Sequence, residues 1–108
     1  MKSGRTAKPA VADVTISEAA RSDLVAIDDY GTDTFGRDAA DAFHEGLRRV
    51  FARLSEYPRS APERSDYGKD IRCTMHRGYR VLYRFDGSAI LIVRVLHHSR
   101  DVRRALGE

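Results

Sequence analysis

The chain reads as an α+β domain: a short strand, a two-helix hairpin, then a three-stranded antiparallel meander. Two observations carry this reading. From Tyr79 to Phe85 the side chains alternate, with Tyr79, Val81, Tyr83 and Phe85 on one side and Arg80, Leu82 and Arg84 on the other. That is the period of a strand with one buried face. From Phe43 to Tyr57 the apolar residues Phe43, Leu47, Val50, Leu54 and Tyr57 step by four, three, four and three, the period of a helix packed on one side.

The elements follow in order. Residues 1–10 are polar, basic and without periodicity, and are expected to form a disordered tail ahead of a single domain over residues 11–108. Val11 to Ile16 suits a strand with Val14 and Ile16 on one face. Ser17 is placed to cap a helix, and Glu18 complements its dipole. Ala20, Leu24, Ile27 and Gly31 then recur at helical spacing, so a first helix runs to Gly31 or Phe35 before Gly36 breaks it. Pro58 stops the second helix. Each side chain of its stripe contributes roughly 1.5–3 kcal/mol if fully buried. Ala39, Ala42 and Gly46 form a flank small enough for the first helix to approach. Arg59 to Lys69 is a polar connector. Arg77-Gly78 and Asp86-Gly87 are the turns of the meander, because these residue types tolerate positive φ.

At 108 residues the chain suffices for one domain. A chain of this size buries roughly two-thirds of its unfolded surface, enough for a core without metals or disulfides. The single cysteine, Cys73, excludes an intrachain disulfide and reads as a small strand residue. No apolar run is long enough to span a bilayer, and the first ten residues lack a signal-peptide core, so a cytoplasmic location is expected.

The formal charge of +3 hides an asymmetry. From Val11 to Tyr57 ten acidic residues face five arginines, whereas from Ile71 onward eight arginines face three acids. The sheet end is basic and the helical end acidic. Such a field favours an acidic partner, either nucleic acid or an acidic protein segment.

Catalytic chemistry is hard to find. His97 and His98 are adjacent, which in a strand sends the rings to opposite faces, and no Cys/His/Asp cluster has metal-ligand spacing. His44 and His76 are isolated, and Asp28-Asp29 reads as solvated surface. No glycine loop cradles phosphate, and no pattern marks a nucleophile. What remains is the arginine set, in which Arg84 and Arg103 read as surface residues lying over apolar sheet.

The run H-R-G-Y-R-V-L-Y-R-F-D-G-S-A-I-L-I-V-R-V-L-H-H-S-R-D-V-R-R-A-L closely resembles the ParE branch of the RelE/ParE toxin superfamily. Upstream, I-S-E-A-A-R-S-D-L-V-A-I-D-D-Y resembles the first helix of that family and L-S-E-Y-P-R-S the end of its second, so the resemblance spans about Val11 to Leu106. It implies a toxin encoded beside an antitoxin. In the RelE branch such proteins cut messenger RNA, whereas ParE proteins inhibit DNA gyrase by binding. Arg80 and Arg100 match two basic positions of the RelE-type nucleases. The lysines of the preceding strand have no counterpart in Ile71, Arg72 and Cys73, and the C-terminal tyrosine falls near Leu106, which neither donates nor accepts a proton.

The resemblance therefore implies a non-catalytic, cofactor-free toxin that forms a hetero-oligomer with a ParD-like antitoxin and has gyrase as its target. It implies no direct contact with nucleic acid. Arg80, Arg94, His97, Arg100 and Arg104 are the candidate target-binding residues; Leu24, Ile27, Arg48 and Arg80 are the candidates for antitoxin contact. The rival readings are a RelE-type messenger-RNA endonuclease and a plain RNA-binding module. The last lacks the exposed strand aromatics and signature loop that such modules carry.

Overall fold

The computed structural model describes residues 11–107, so the expected tail over residues 1–10 lies outside them, as does Glu108. The order is β1 (Asp13–Ile16), α1 (Glu18–Phe35), α2 (Arg37–Glu56), β2 (Arg72–His76), β3 (Tyr79–Phe85), β4 (Ala89–His97) and α3 (Val102–Ala105). The strands form one sheet in the order β1-β4-β3-β2. β2, β3 and β4 are the expected antiparallel meander, and β1 joins its far edge parallel to β4.

Local chemistry sets the boundaries. The Ser17 hydroxyl accepts from Ala20 N–H, capping α1, and donates to the Val93 carbonyl at 2.8 Å, so one side chain starts the helix and pins it to the sheet. Gly36, at φ 94°, both ends α1 and begins α2, a conformation that a side chain resists. At the β2–β3 turn Arg77 and Gly78 both have positive φ, as a two-residue primed turn requires. At the next turn the Asp86 carboxylate accepts from Ser88 and Ala89 N–H, and these bonds hold it below its ordinary pKa.

The main core lies between the helices and one sheet face. Leu47 and Leu54 of α2 meet Val81, Tyr83, Ile90, Ile92 and Val95, with Phe43 and Val50 partly buried beside them. Tyr57 departs from the expected stripe. It is the C-cap of α2, where the backbone has left helical geometry, and it is 60% exposed. The helix flank also differs. It is Ala40 that packs against α1, its Cβ 3.6 Å from where a Cβ on Gly31 would stand. Gly46 instead admits the His76 ring of β2: a Cβ at position 46 would stand 2.7 Å from the ring.

The opposite sheet face is not bare. Ile71, Cys73, Leu82, Leu96 and Val102 form a second cluster, closed over by Tyr67, Val93, Ala105 and Leu106. Leu82 is thus fully buried where alternation alone left it among arginines. A register shift explains how β4 serves both cores. Leu82 pairs with Arg94 but Tyr83 pairs with Ile92, so Val93 is the extra residue of a bulge. Before the bulge Ile90 and Ile92 face the main core; after it Val95 does, and Arg94 and Leu96 turn to the other side.

β1 pairs with β4 only as far as Ile92, and beyond that point α1 takes over the strand edge. Asp23 accepts from Val95 N–H at 2.9 Å and from Arg94 Nε and Nη2 at 2.7 Å each. Arg94 Nη1 donates to the Ala105 carbonyl at 2.7 Å, so the same guanidinium ties α3 down. The Asp23 bond is the chief reason its pKa is raised.

Leu47→Asp is expected to remove soluble folded protein, since it puts an unpaired charge in the core. Tyr57→Ala should instead express solubly and stay within about 0.5 kcal/mol of the parent by urea denaturation. Asp23→Ala leaves Arg94 and Val95 N–H unpaired and should cost roughly 3 kcal/mol in the same assay. Asp23→Asn, which keeps one acceptor oxygen, should cost less.

Candidate functional site

β3 begins and β4 ends at the same pole of the sheet, where Tyr79 pairs with His97. Rings gather there because the α1–α2 hairpin closes over it. Phe43 of α2 lies 5.3 Å from Tyr79 and 4.9 Å from His76, and Tyr79 lies 5.3 Å from His97, all between ring centroids. Tyr30 and Phe35 of α1 meet edge to face at 6.2 Å, yet are 59% and 68% exposed. Between them runs a cleft of about 240 Å³ lined by Ile27, Phe35, Ala39, Phe43, Arg77 and Tyr79. A second hollow of about 190 Å³ continues it past Tyr30 and Tyr79 to His97 and Arg100. The result is one apolar groove with an arginine toward each end.

The backbone around the groove is firmly held. His98 N–H donates to the Gly78 carbonyl at 2.8 Å, and Arg100 N–H donates to the His97 carbonyl at 2.9 Å. Ser99 N–H donates to His97 Nδ1 at 3.3 Å, and the Ser99 hydroxyl lies 2.8 Å from the same nitrogen. Nδ1 is therefore the acceptor nitrogen of the ring. His97 and His98 do not diverge as strand neighbours would. β4 ends at His97, and the two rings sit 4.3 Å apart. Burial pushes the Tyr79 phenol up, so its hydroxyl is a neutral hydrogen-bond donor.

Arg80 leaves β3 on the face opposite Val81 and Tyr83, and Nη1 donates to the His98 carbonyl at 2.6 Å. Asp101, the obvious carboxylate for it, is used elsewhere: its side chain accepts from Arg104 N–H and caps α3. Arg80 is thereby anchored without being neutralised. Ile27, His97 and Arg100 line one hollow at this pole, and Arg80 reaches the His98 carbonyl from the opposite face. The other candidates do not join them. Arg94 is two-thirds of the way along β4, mostly buried, and bonded to Asp23 and the Ala105 carbonyl as a structural clamp. Leu24 packs against the main core. Arg48 lies on the exposed side of α2 against Glu45 at 2.8 Å, and Arg104 is on α3 beyond the groove.

Tyr30, Phe35 and Arg77 were not among the sequence candidates. Tyr30 is a large ring lying off the α1 stripe and Phe35 closes that stripe at the helix end, and those were their available signals. Asp28, expected on solvated surface, sits 3.4 Å from Arg37; it is also 3.3 Å from His44 Nε2, off the line of a hydrogen bond. Cys73 is buried, which pushes its thiol up and makes it inert. Among the described residues no group of three or more His, Cys, Asp or Glu is disposed to hold a metal, and no helix is long and apolar enough to cross a membrane.

Residues 14–102 match the family model described as the ParE toxin of type II toxin–antitoxin system, parDE. Toxin ParE3 of Caulobacter vibrioides is 33% identical over 73 residues, which is 68% of this chain and 73% of that protein. Among solved structures, a chain of the chromosomal ParDE system from P. aeruginosa superposes with a TM-score of 0.71 at 18% identity, over 82% of this chain and 98% of that one. A chain of the RelBE2 toxin–antitoxin complex from Mycobacterium tuberculosis gives 0.55 at 25% identity, over 81% and 98%. The fold, the sequence match across most of its length and the curated relative agree: this chain belongs to the ParE family of type II toxins, within the RelE/ParE superfamily.

Proposed function

We propose that this toxin acts by binding and not by chemistry of its own, with DNA gyrase as its target and a ParD-like antitoxin as its neutralising partner. The observation that carries this reading is the groove. It offers exposed aromatic surface between arginines, the composition of a recognition surface, whereas Leu106, near the position where the RelE-type nucleases place a proton-transferring tyrosine, packs into the second cluster. The planar guanidinium forks of Arg80 and Arg100 suit gripping an anionic group better than general acid–base work. An antitoxin segment that orders on binding can cover the groove and the hairpin together. Ile27 lies within its reach in the groove, Arg80 stands on the opposite sheet face, and Leu24 supports the wall from beneath.

Expression without an antitoxin is expected to arrest growth with a DNA-damage response, and the purified protein is expected to inhibit supercoiling by gyrase. Arrest with prompt loss of messenger RNA, undamaged DNA and ribosome-dependent cleavage in vitro would instead establish the RelE-type activity.

A further inference from the structure

Five of the described arginines form ion pairs, and what sets Arg77, Arg80 and Arg100 apart from the rest is their place at one end of the sheet. Arg37, Arg48, Arg64, Arg72 and Arg94 each sit within 4 Å of a carboxylate. At the His97 pole, among the described residues, no carboxylate reaches Arg77, Arg80 or Arg100. Asp23 lines the same hollow, but its oxygens are taken up by Arg94 and Val95 N–H. Three uncompensated guanidinium groups therefore share one end of a sheet. Arg77 and Arg100 are exposed and Arg80 is half-buried, so an anionic partner can reach all three from solvent.

The three do not lie on one face. Arg77 stands in the turn, beside the cleft under the hairpin, and Arg100 follows the end of β4 beside the second hollow. Arg80 points to the opposite face and is bent back to the pole by its bond to the His98 carbonyl. A peptide lying in the groove meets Arg77 and Arg100 but leaves Arg80 behind the sheet. A partner that lies across the sheet end meets all three. Cations on both flanks of one sheet end can face phosphates on both sides of a DNA groove. Planar forks suit phosphate oxygens, and each is held by a backbone that is itself hydrogen-bonded.

We propose that this pole is a phosphodiester-binding site at which Arg77, Arg80 and Arg100 contact the backbone of duplex DNA. The family resemblance implied no such contact; the placement of the three arginines argues for it. The inference adds a DNA contact to the gyrase reading but does not need gyrase to be present. Binding is sequence-independent, since phosphates carry no base information.

The test is fluorescence anisotropy of the full chain with a short labelled duplex, across about 50 to 200 mM salt. Three phosphates neutralised give a slope of log affinity against log salt of about −2.7, a loss of about 40-fold over that range. Any contribution from Lys2, Arg5 and Lys8 is common to all variants and cancels in the comparison. Arg77→Asn, which tolerates the positive φ, and Arg100→Gln should each make the slope shallower by about 0.9. Arg80→Lys should keep the slope and lose affinity. Melting temperature and gyrase supercoiling inhibition are measured on the same samples. Slopes unchanged in the Arg77 and Arg100 variants overturn the site, whatever gyrase does. Absence of DNA binding with Arg77-dependent binding to isolated gyrase subunits also overturns it, and assigns the pole to an acidic protein surface. DNA binding that fails with these variants while wild-type protein leaves gyrase unaffected upholds the site and removes the gyrase reading alone.

Discussion

The bidentate contact of Asp23 with Arg94 joins more of this molecule than any other pair of side chains. β1 is too short to pair with the whole of β4, and an unpaired strand edge inside a folded domain leaves N–H and C=O groups wanting partners. Asp23 answers that demand at Val95 while holding Arg94, and Arg94 holds the carbonyl of Ala105. Helix, strand edge and C-terminal turn therefore share one ion pair at low exposure. Its geometry is good enough, with every short contact at or below 2.9 Å, to offset the desolvation such pairs suffer. The groove inherits its shape from this contact, because the segment of α1 carrying Ile27 and Tyr30 follows directly from Asp23.

Much of the architecture could be read from spacing alone. The Tyr79–Phe85 alternation, the α2 stripe through Leu54 and the Ser17 cap all reflect local periodicity or local hydrogen bonding, which a sequence displays directly. The second core could not be read this way. It depends on the bulge at Val93, which shifts the parity of β4 by one residue, and nothing in A-I-L-I-V-R-V-L-H announces where the parity changes. Strict alternation would place Ile90, Ile92, Arg94 and Leu96 on one face. The bulge sends Arg94 and Leu96 across the sheet, which is why Arg94 resembled a surface contact residue in the sequence and is a clamp in the fold. Tyr57 shows the complementary failure: the period continued to it, but the helix had already ended.

At the site, sequence reading found the charge and missed the aromatic wall. The excess of arginine after Ile71 is a bulk property that survives folding, so the basic pole was legible. Tyr30 lies apart from the α1 stripe and Phe35 at its end, and both are brought to Tyr79 only by the hairpin, a long-range consequence of Gly36 and of the close approach at Gly31. Arg77 looked like a turn residue and is one. Its second role comes from where that turn ends up.

The closeness of Gly46 to His76 carries a consequence of its own. The ring occupies the space that any side chain at 46 would need, and its Nε2 lies 3.2 Å from the Phe43 carbonyl one turn earlier in the same helix. Positions 46 and 76, thirty residues apart, thus behave as a single unit of volume. A residue larger than glycine at 46 requires the ring at 76 to shift or to be smaller. The distance between α2 and β2, and with it how far the ring of Phe43 leans over Tyr79, is encoded jointly by that pair. The width of the groove is thus written partly into two residues that never touch whatever lies in it.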